Sequence, residues 1–166
     1  MTHIEKENGN NENGCVDRKI GKPEIRIFPN SKAKEFGTNR DLVNYLKDEL
    51  STKGTGIYYF RSYRQVKCIP GNSWALFRFE DLILGCAKIK EPAVSKKNAG
   101  PNQEYEGQIT FDVTSTKVFD PPLEIRRLEW LTGEKYHNDD NLKTGRAYYI
   151  VSKKHHEKVL ELLGVD

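Results

Sequence analysis

Apolar and polar positions alternate in short runs through the middle of the chain, most clearly over residues 57–91, IYYFRSYRQVKCIPGNSWALFRFEDLILGCAKIKE. Gly56 to Arg61 is rich in Ile, Tyr and Phe, which suit a pleated, half-buried surface, and predicts a strand. Ile69-Pro70-Gly71-Asn72 predicts a type II turn, with Pro at the second position and Gly at the third, where φ must be positive. Trp74 to Phe79 and Leu82 to Lys90 predict two more strands, joined by a tight turn at Glu80-Asp81. Gly85, in the middle of the second, predicts a bulge or the close approach of another backbone. From Tyr105 to Phe119, Ile109, Phe111 and Val113 alternate with Gln108, Thr110 and Asp112, so one side of a long strand faces a core.

Helical spacing flanks these strands. Thr38 is a predicted N-cap, with Asp41 in the first turn, where an acid also favours the helix dipole. Leu42, Val43, Tyr45, Leu46 and Leu50 then form one apolar face, and Gly54 is a predicted stop. This helix is expected to plug one end or side of the strand assembly. Asp120-Pro121-Pro122 is expected to end the long strand and open a short helix with the stripe Ile125, Leu128 and Leu131, stopped by Gly133. Arg146 to Val151 predicts the last strand. Ser152 is a predicted cap for a closing helix, Lys153 to Leu163, with Val159, Leu160, Leu162 and Leu163 buried and Gly164 beyond its end.

Pro23 to Phe28 alternates as a short edge strand would. Met1 to Lys22, with four Asn and three Gly, reads as a flexible arm. Glu91 to Glu104 and Glu134 to Gly145 read as polar loops. The count is five or six strands with about three peripheral helices, which predicts an α+β domain built on a small mixed β-barrel. The expected organisation is an arm over 1–22 and a single domain over 23–166, with a barrel core at 56–163 and a strand–helix extension at 23–55.

Length and charge narrow this picture modestly. The 166 residues are about one domain. No run of 18 apolar residues occurs, so no transmembrane helix is expected, and the N-terminus lacks the apolar segment of a signal peptide. Cys15, Cys68 and Cys86 are odd in number and widely spaced, so neither a disulfide framework nor a metal pair is expected, and the compartment reads as reducing and cytoplasmic. Net charge is +3 overall, whereas residues 57–104 hold eight Lys or Arg against four Asp or Glu, a local excess of +4. That is the sign nucleic acid would require, and also the sign of ordinary solvated strand faces.

The densest candidate chemistry is the run Arg61-Ser62-Tyr63-Arg64, with Tyr59 just before it. Arginine binds phosphate bidentately, aromatic rings stack unpaired bases, and a flipped base needs hydrogen bonds to its edge. Surface arginines packed over tyrosines are the plain structural alternative. Trp74 and Trp130 are candidates for the wall of a base pocket, against the more usual core role of a Trp. Asp112 is a candidate acceptor for an exocyclic amine, and Lys88, Lys90, Lys96 and Lys97 a candidate phosphate track; a solvated strand face and a solvated loop are the more usual readings of the two. Signals for an enzyme are poor. His155 and His156 are adjacent and so cannot face one metal from a helix, and no phosphate-binding loop, nucleophile elbow or dinucleotide fingerprint occurs. No cofactor is expected.

Several segments together resemble the PUA-like superfamily, and within it the EVE domains and their YTH relatives. They are Pro70-Gly71 followed by Trp74-Ala75-Leu76-Phe77, then Ile83-Leu84-Gly85-Cys86-Ala87-Lys88-Ile89, then the long strand ending Lys117-Val118-Phe119-Asp120-Pro121-Pro122-Leu123, and Gly145-Arg146 through Leu163. The resemblance spans roughly residues 57–163 and departs at Tyr58 to Arg64, where the family carries a different rim. It implies a non-catalytic module that binds RNA or DNA, often through a modified, flipped base in an aromatic-walled pocket. Such domains work with nucleases in modification-dependent restriction, or as RNA binders. An enzyme acting on RNA or a nucleotide, and a protein-interaction module, are the competing readings.

Overall fold

A computed structural model describes residues 21–30, 36–50, 55–60, 66, 68–100, 102–136 and 148–166. Six strands form one mixed sheet: β1 (Ile25–Asn30), β2 (Ile57–Phe60), β3 (Trp74–Phe79), β4 (Leu82–Ala99), β5 (Tyr105–Glu124) and β6 (Tyr149–Ile150). Their spatial order is β2-β5-β4-β3-β1-β6. β1 runs parallel to β3, with Ile25 opposite Trp74, and the other pairs are antiparallel. The helices are α1 (Asn39–Asn44), which continues as a π-helical segment over Tyr45–Leu50, α2 (Ile125–Thr132) and α3 (His156–Leu163), the last preceded by a 3-10 turn at Lys153–His155. The expected α+β architecture with peripheral helices is therefore found.

The sheet curls into most of a barrel without closing. β2 and β1 stand four strand intervals apart, roughly 19 Å on a flat sheet. Yet the Tyr58 hydroxyl lies 3.5 Å from Oδ1 of Asn30, and the Tyr58 ring is centred 6.1 Å from that of Phe77 on β3. The curl has a visible source, because the β4–β5 register shifts repeatedly, and each such irregularity bends a strand and adds twist. Gly85 sits at one of them, where an added Cβ would lie 2.5 Å from the Lys117 carbonyl oxygen and 2.8 Å from Leu46 Cδ1. The close approach expected at Gly85 is real.

The concave side is filled by aromatic rings. Tyr58, Phe77 and Phe111 pack edge-on or tilted within about 6 Å of one another, with Phe28, Phe60 and Ile109 around them. Leu42, Leu46 and Leu50 close this side, so the first helix plugs it as its apolar face predicts. Its start is the expected one: the Asp41 amide donates to Thr38 Oγ1 at 3.2 Å, and the Thr38 amide donates back to Asp41 Oδ2 at 2.8 Å. The convex side carries a second core of Ile25, Ile27, Trp74, Leu76, Ile83 and Cys86, covered by Ile125 and Leu128 of α2 and Val159 and Leu163 of α3.

Several expectations are corrected. β1 is an interior strand rather than an edge, because its residues contribute to both cores at once; the segment read as an extension thus supplies the sheet between β3 and β6. At Ile69–Asn72 the positive φ falls on Asn72 (61°) rather than on Gly71, which a type II turn would require; Asn tolerates this region. Most of the loop expected over Glu91 to Glu104 is strand, since β4 runs on to Ala99 and pairs Val94 with Gln108 and Ala99 with Tyr105. Asp120-Pro121-Pro122 does not end β5, which continues through Glu124, with a cis bond at Asp120-Pro121; Asp120 therefore caps nothing. Ser152 precedes the 3-10 turn without a side-chain capping bond. Cys68 is disulfide-bonded, against the expectation of no disulfide framework and a reducing compartment, while Cys86 is a free, buried thiol. No described helix is long and apolar enough to cross a membrane.

Candidate nucleic-acid interface

The candidate residues separate into three places. At one end of the sheet, β2 pairs with the start of β5, Tyr59 opposite Gln108 and Phe60 opposite Gly107. There Tyr59 stacks on Tyr105, ring centroids 5.5 Å apart and planes 25° from parallel, and both rings stay partly exposed. β4 passes the same end, with Ser95 opposite Gly107 and Ala99 opposite Tyr105. The backbone of Lys96 and Lys97 therefore runs beside this aromatic pair. The expected cluster Arg61, Ser62, Tyr63 and Arg64 lies outside the described residues, as do the side chains of Lys96 and Lys97.

A second group forms a row across the convex face. Trp74, Lys88 and Asp112 are direct cross-strand neighbours on β3, β4 and β5. Lys88 Nζ sits 5.6 Å from the centre of the Trp74 ring, within cation–π range. Trp74 is only 6% exposed and packs in the convex core, so it is a core side chain and not the wall of an open pocket. The Asp112 carboxylate accepts from the Thr114 hydroxyl at 2.7 Å and the Thr114 amide at 3.0 Å. Those bonds, the hydroxyl's first, hold its pKa below the usual carboxylate range, with Lys90 and Lys88 adding a little. Asp112 thus stabilises its own turn, a local use typical of Asp.

Trp130 stands alone on α2. It is 84% exposed, the most exposed of the large apolar side chains described. The stripe Ile125, Leu128 and Leu131 turns toward the sheet, and Trp130 points the other way, beside a groove of about 550 Å³ lined by Arg126, Glu129, Gly133 and Lys135. Gly133 ends the helix in the left-handed conformation (φ 70°), as its position predicts, its amide donating to the Glu129 carbonyl at 2.8 Å.

The loop after Gly133 is pinned from below. The Tyr136 amide donates to Glu129 Oε1 at 2.7 Å, and the Tyr136 hydroxyl donates to Glu134 Oε2 at 2.7 Å. The Ser152 amide donates to the same Glu134 oxygen at 3.2 Å, and His155 Nε2 lies 3.8 Å from the other. Burial pushes the Tyr136 phenol up. The sequence gives no sign of this network, because Ser152 and His155 reach Glu134 from a stretch 18 or more residues further along the chain. Among the described residues no cluster of three His, Cys, Asp or Glu side chains is placed to hold a metal ion.

No protein-family model and no curated protein matches the sequence. Solved structures do match in shape. The YTH domain-containing protein mmi1, solved with RNA, aligns over 86% of this chain and 82% of its own at a TM-score of 0.50 and 11% identity. The YTH domain of Zygosaccharomyces rouxii MRB1, in complex with N6-methyladenosine RNA, aligns over 88% of this chain and 87% of its own at 0.49 and 12% identity. A hypothetical protein from Leishmania major covers 86% of this chain and 96% of its own at 0.48 and 13% identity. The first of these establishes a likeness of fold between this chain and a YTH domain, and at such identity the likeness is of fold alone.

Proposed function

We propose that this protein is a non-catalytic nucleic-acid-binding module that takes an unpaired base against aromatic side chains, with RNA as the first ligand to try. The observation that carries this reading is the Tyr59–Tyr105 pair. Two stacked, partly exposed rings sit at the end of the sheet that the β4 backbone crosses at Lys96 and Lys97, and Tyr59 stands two residues before Arg61 in the sequence. An aromatic platform suits single-stranded nucleic acid, whose bases stack, and Lys96, Lys97, Arg61 and Arg64, near it along the chain or in strand register, are the candidates to neutralise its phosphates. The fold supports the choice of RNA through its likeness to the mmi1 domain. Preference for a modified base, and cooperation with a nuclease, belong to the same proposal as its finer parts.

The test is binding at low salt to labelled single- and double-stranded RNA and DNA, each with and without methylated bases. Single-stranded RNA is expected to bind, and Tyr59→Ala and Tyr105→Ala each to weaken it by about 5- to 100-fold, as loss of one stacked base would. A wild-type protein that binds none of these oligonucleotides ends the proposal. Equal affinity for methylated and plain oligonucleotides removes only the modified-base part.

A further inference from the structure

The groove beside α2 is separate from the Tyr59–Tyr105 platform and lies by the far end of β5. We infer that it binds one nucleotide of a single-stranded nucleic acid, with the Trp130 indole as the stacking surface and Arg126, Arg127 and Lys135 as the phosphate-binding cations. The inference rests on the nucleic-acid reading above and adds a second contact to it.

Helix geometry brings these groups together. Arg126 stands four residues before Trp130 and Arg127 three before, the spacings that place side chains side by side on a helix. All three face away from the buried Ile125 and Leu128. Lys135 completes the rim from the loop beyond Gly133. A methyl group added at Gly133 would meet nothing within 4 Å, so the space beside the indole is open. At about 550 Å³ the groove falls among sites that hold small organic ligands, and a nucleotide is of that size.

Charge decides between a nucleotide and an apolar partner. Trp130 is the one apolar side chain among the groove-lining residues. Arg126, Arg127 and Lys135 are exposed, and among the described residues none of them is held in an ion pair. The nearby carboxylates, Glu129 in the groove lining among them, already accept hydrogen bonds within the fold. Glu129 is 9% exposed and bonds the Tyr136 amide, while Glu134 takes bonds from the Tyr136 hydroxyl and the Ser152 amide. The groove therefore sets the indole between Arg126 and Lys135, with Arg127 on the same helix three residues before it, and an unpaired base with its phosphates is the complement of that surface.

The probe is the indole itself. The protein has two tryptophans, and Trp74 is buried, so quenching of exposed tryptophan emission reports Trp130. A short single-stranded RNA at low salt is expected to quench it. Trp130→Ala should weaken binding by about 5- to 100-fold with an unchanged melting temperature, and Trp130→Phe should restore part of the loss. Arg126→Ala and Lys135→Ala should each lower the slope of log affinity against log salt by about 0.7. If wild type and Trp130→Ala bind RNA equally, the groove is overturned and the Tyr59–Tyr105 reading stands. If wild type binds no RNA, both fall. Quenching by an acidic peptide but not by RNA overturns the nucleotide assignment and makes the groove a peptide site.

Discussion

The hydroxyl of Tyr58 on β2 lies 3.5 Å from Oδ1 of Asn30 on β1, although four strand intervals separate those strands along the sheet. Asn30 in turn donates to the carbonyls of Phe28 at 3.3 Å and Arg78 at 3.2 Å, so its amide is fixed to β1 and β3. Tyr58 thereby joins one edge region of the curled sheet to the other through side chains. The distance is at the outer limit of a hydrogen bond, whereas the ring is wedged against Phe77, Phe111 and Tyr45. Packing should therefore outweigh the hydroxyl. Tyr58→Phe is expected to cost at most about 1 kcal/mol, and Tyr58→Ala about 3–5 kcal/mol, as read from urea unfolding. Equal costs would show that the hydroxyl holds the curl.

Gly85 allows β4 to approach β5. Its virtual Cβ meets a backbone oxygen, that of Lys117, at 2.5 Å, and a carbonyl in a ladder cannot swing away. Gly85→Ala should destabilise the fold by about 1–3 kcal/mol or more. Gly71→Ala is the control, since the nearest atoms there are the Lys90 oxygen at 3.8 Å and Pro92 Cδ at 4.0 Å, and it should shift the unfolding midpoint little. Equal effects at both sites would refute the steric account.

Glu134 gives the fold part of its acid sensitivity. Burial alone would raise its pKa, but hydrogen bonds from the Ser152 and Tyr136 hydroxyls and the Ser152 amide, with His155 nearby, outweigh burial and hold it below its usual 4.5. A carboxylate with a depressed folded pKa stabilises fully above its unfolded value and loses that contribution as pH falls through 4.5 toward the folded value. Glu134→Gln should therefore lower stability at neutral pH and flatten its decline on acidification. Urea midpoints from about pH 7 to about pH 3 measure both; an unchanged pH slope would mean that other carboxylates carry the effect.

Cys86 should be chemically silent in the folded protein. Burial pushes its thiol up to about 12, with the Lys117 charge opposing only part of the rise. The thiolate is the reactive form, so almost none is present near pH 8. Peptide mapping after alkylation should find Cys86 unmodified in native buffer and fully modified in denaturant. Modification in native buffer at the rate of a free thiol would show that the convex core opens readily.

Local chemistry was legible where a few neighbouring residues decide the outcome. The Thr38–Asp41 capping box, the strand Trp74–Phe79, and the helix stops at Gly133 and Gly164 all stand where the pattern puts them. The sequence does not show the full length of β4, because beyond Lys90 most of its described side chains are exposed, leaving no alternation to mark a strand that pairing with β5 nevertheless creates. The sequence also marks the groove, since the candidate Trp130 falls off the stripe Ile125, Leu128 and Leu131, with Arg126 four residues before it.

By itself, then, the sequence determined the class of fold and most of its elements, because capping, turn residues and apolar period act through bonds and contacts within a few positions. Only tertiary structure decided that β1 lies inside the sheet, that Tyr58 reaches Asn30, and that of the two tryptophans Trp74 is covered and Trp130 left open. Those outcomes depend on which distant strands and helices come to cover each face. A Trp on a strand and a Trp on a helix carry no local mark of what will pack against them.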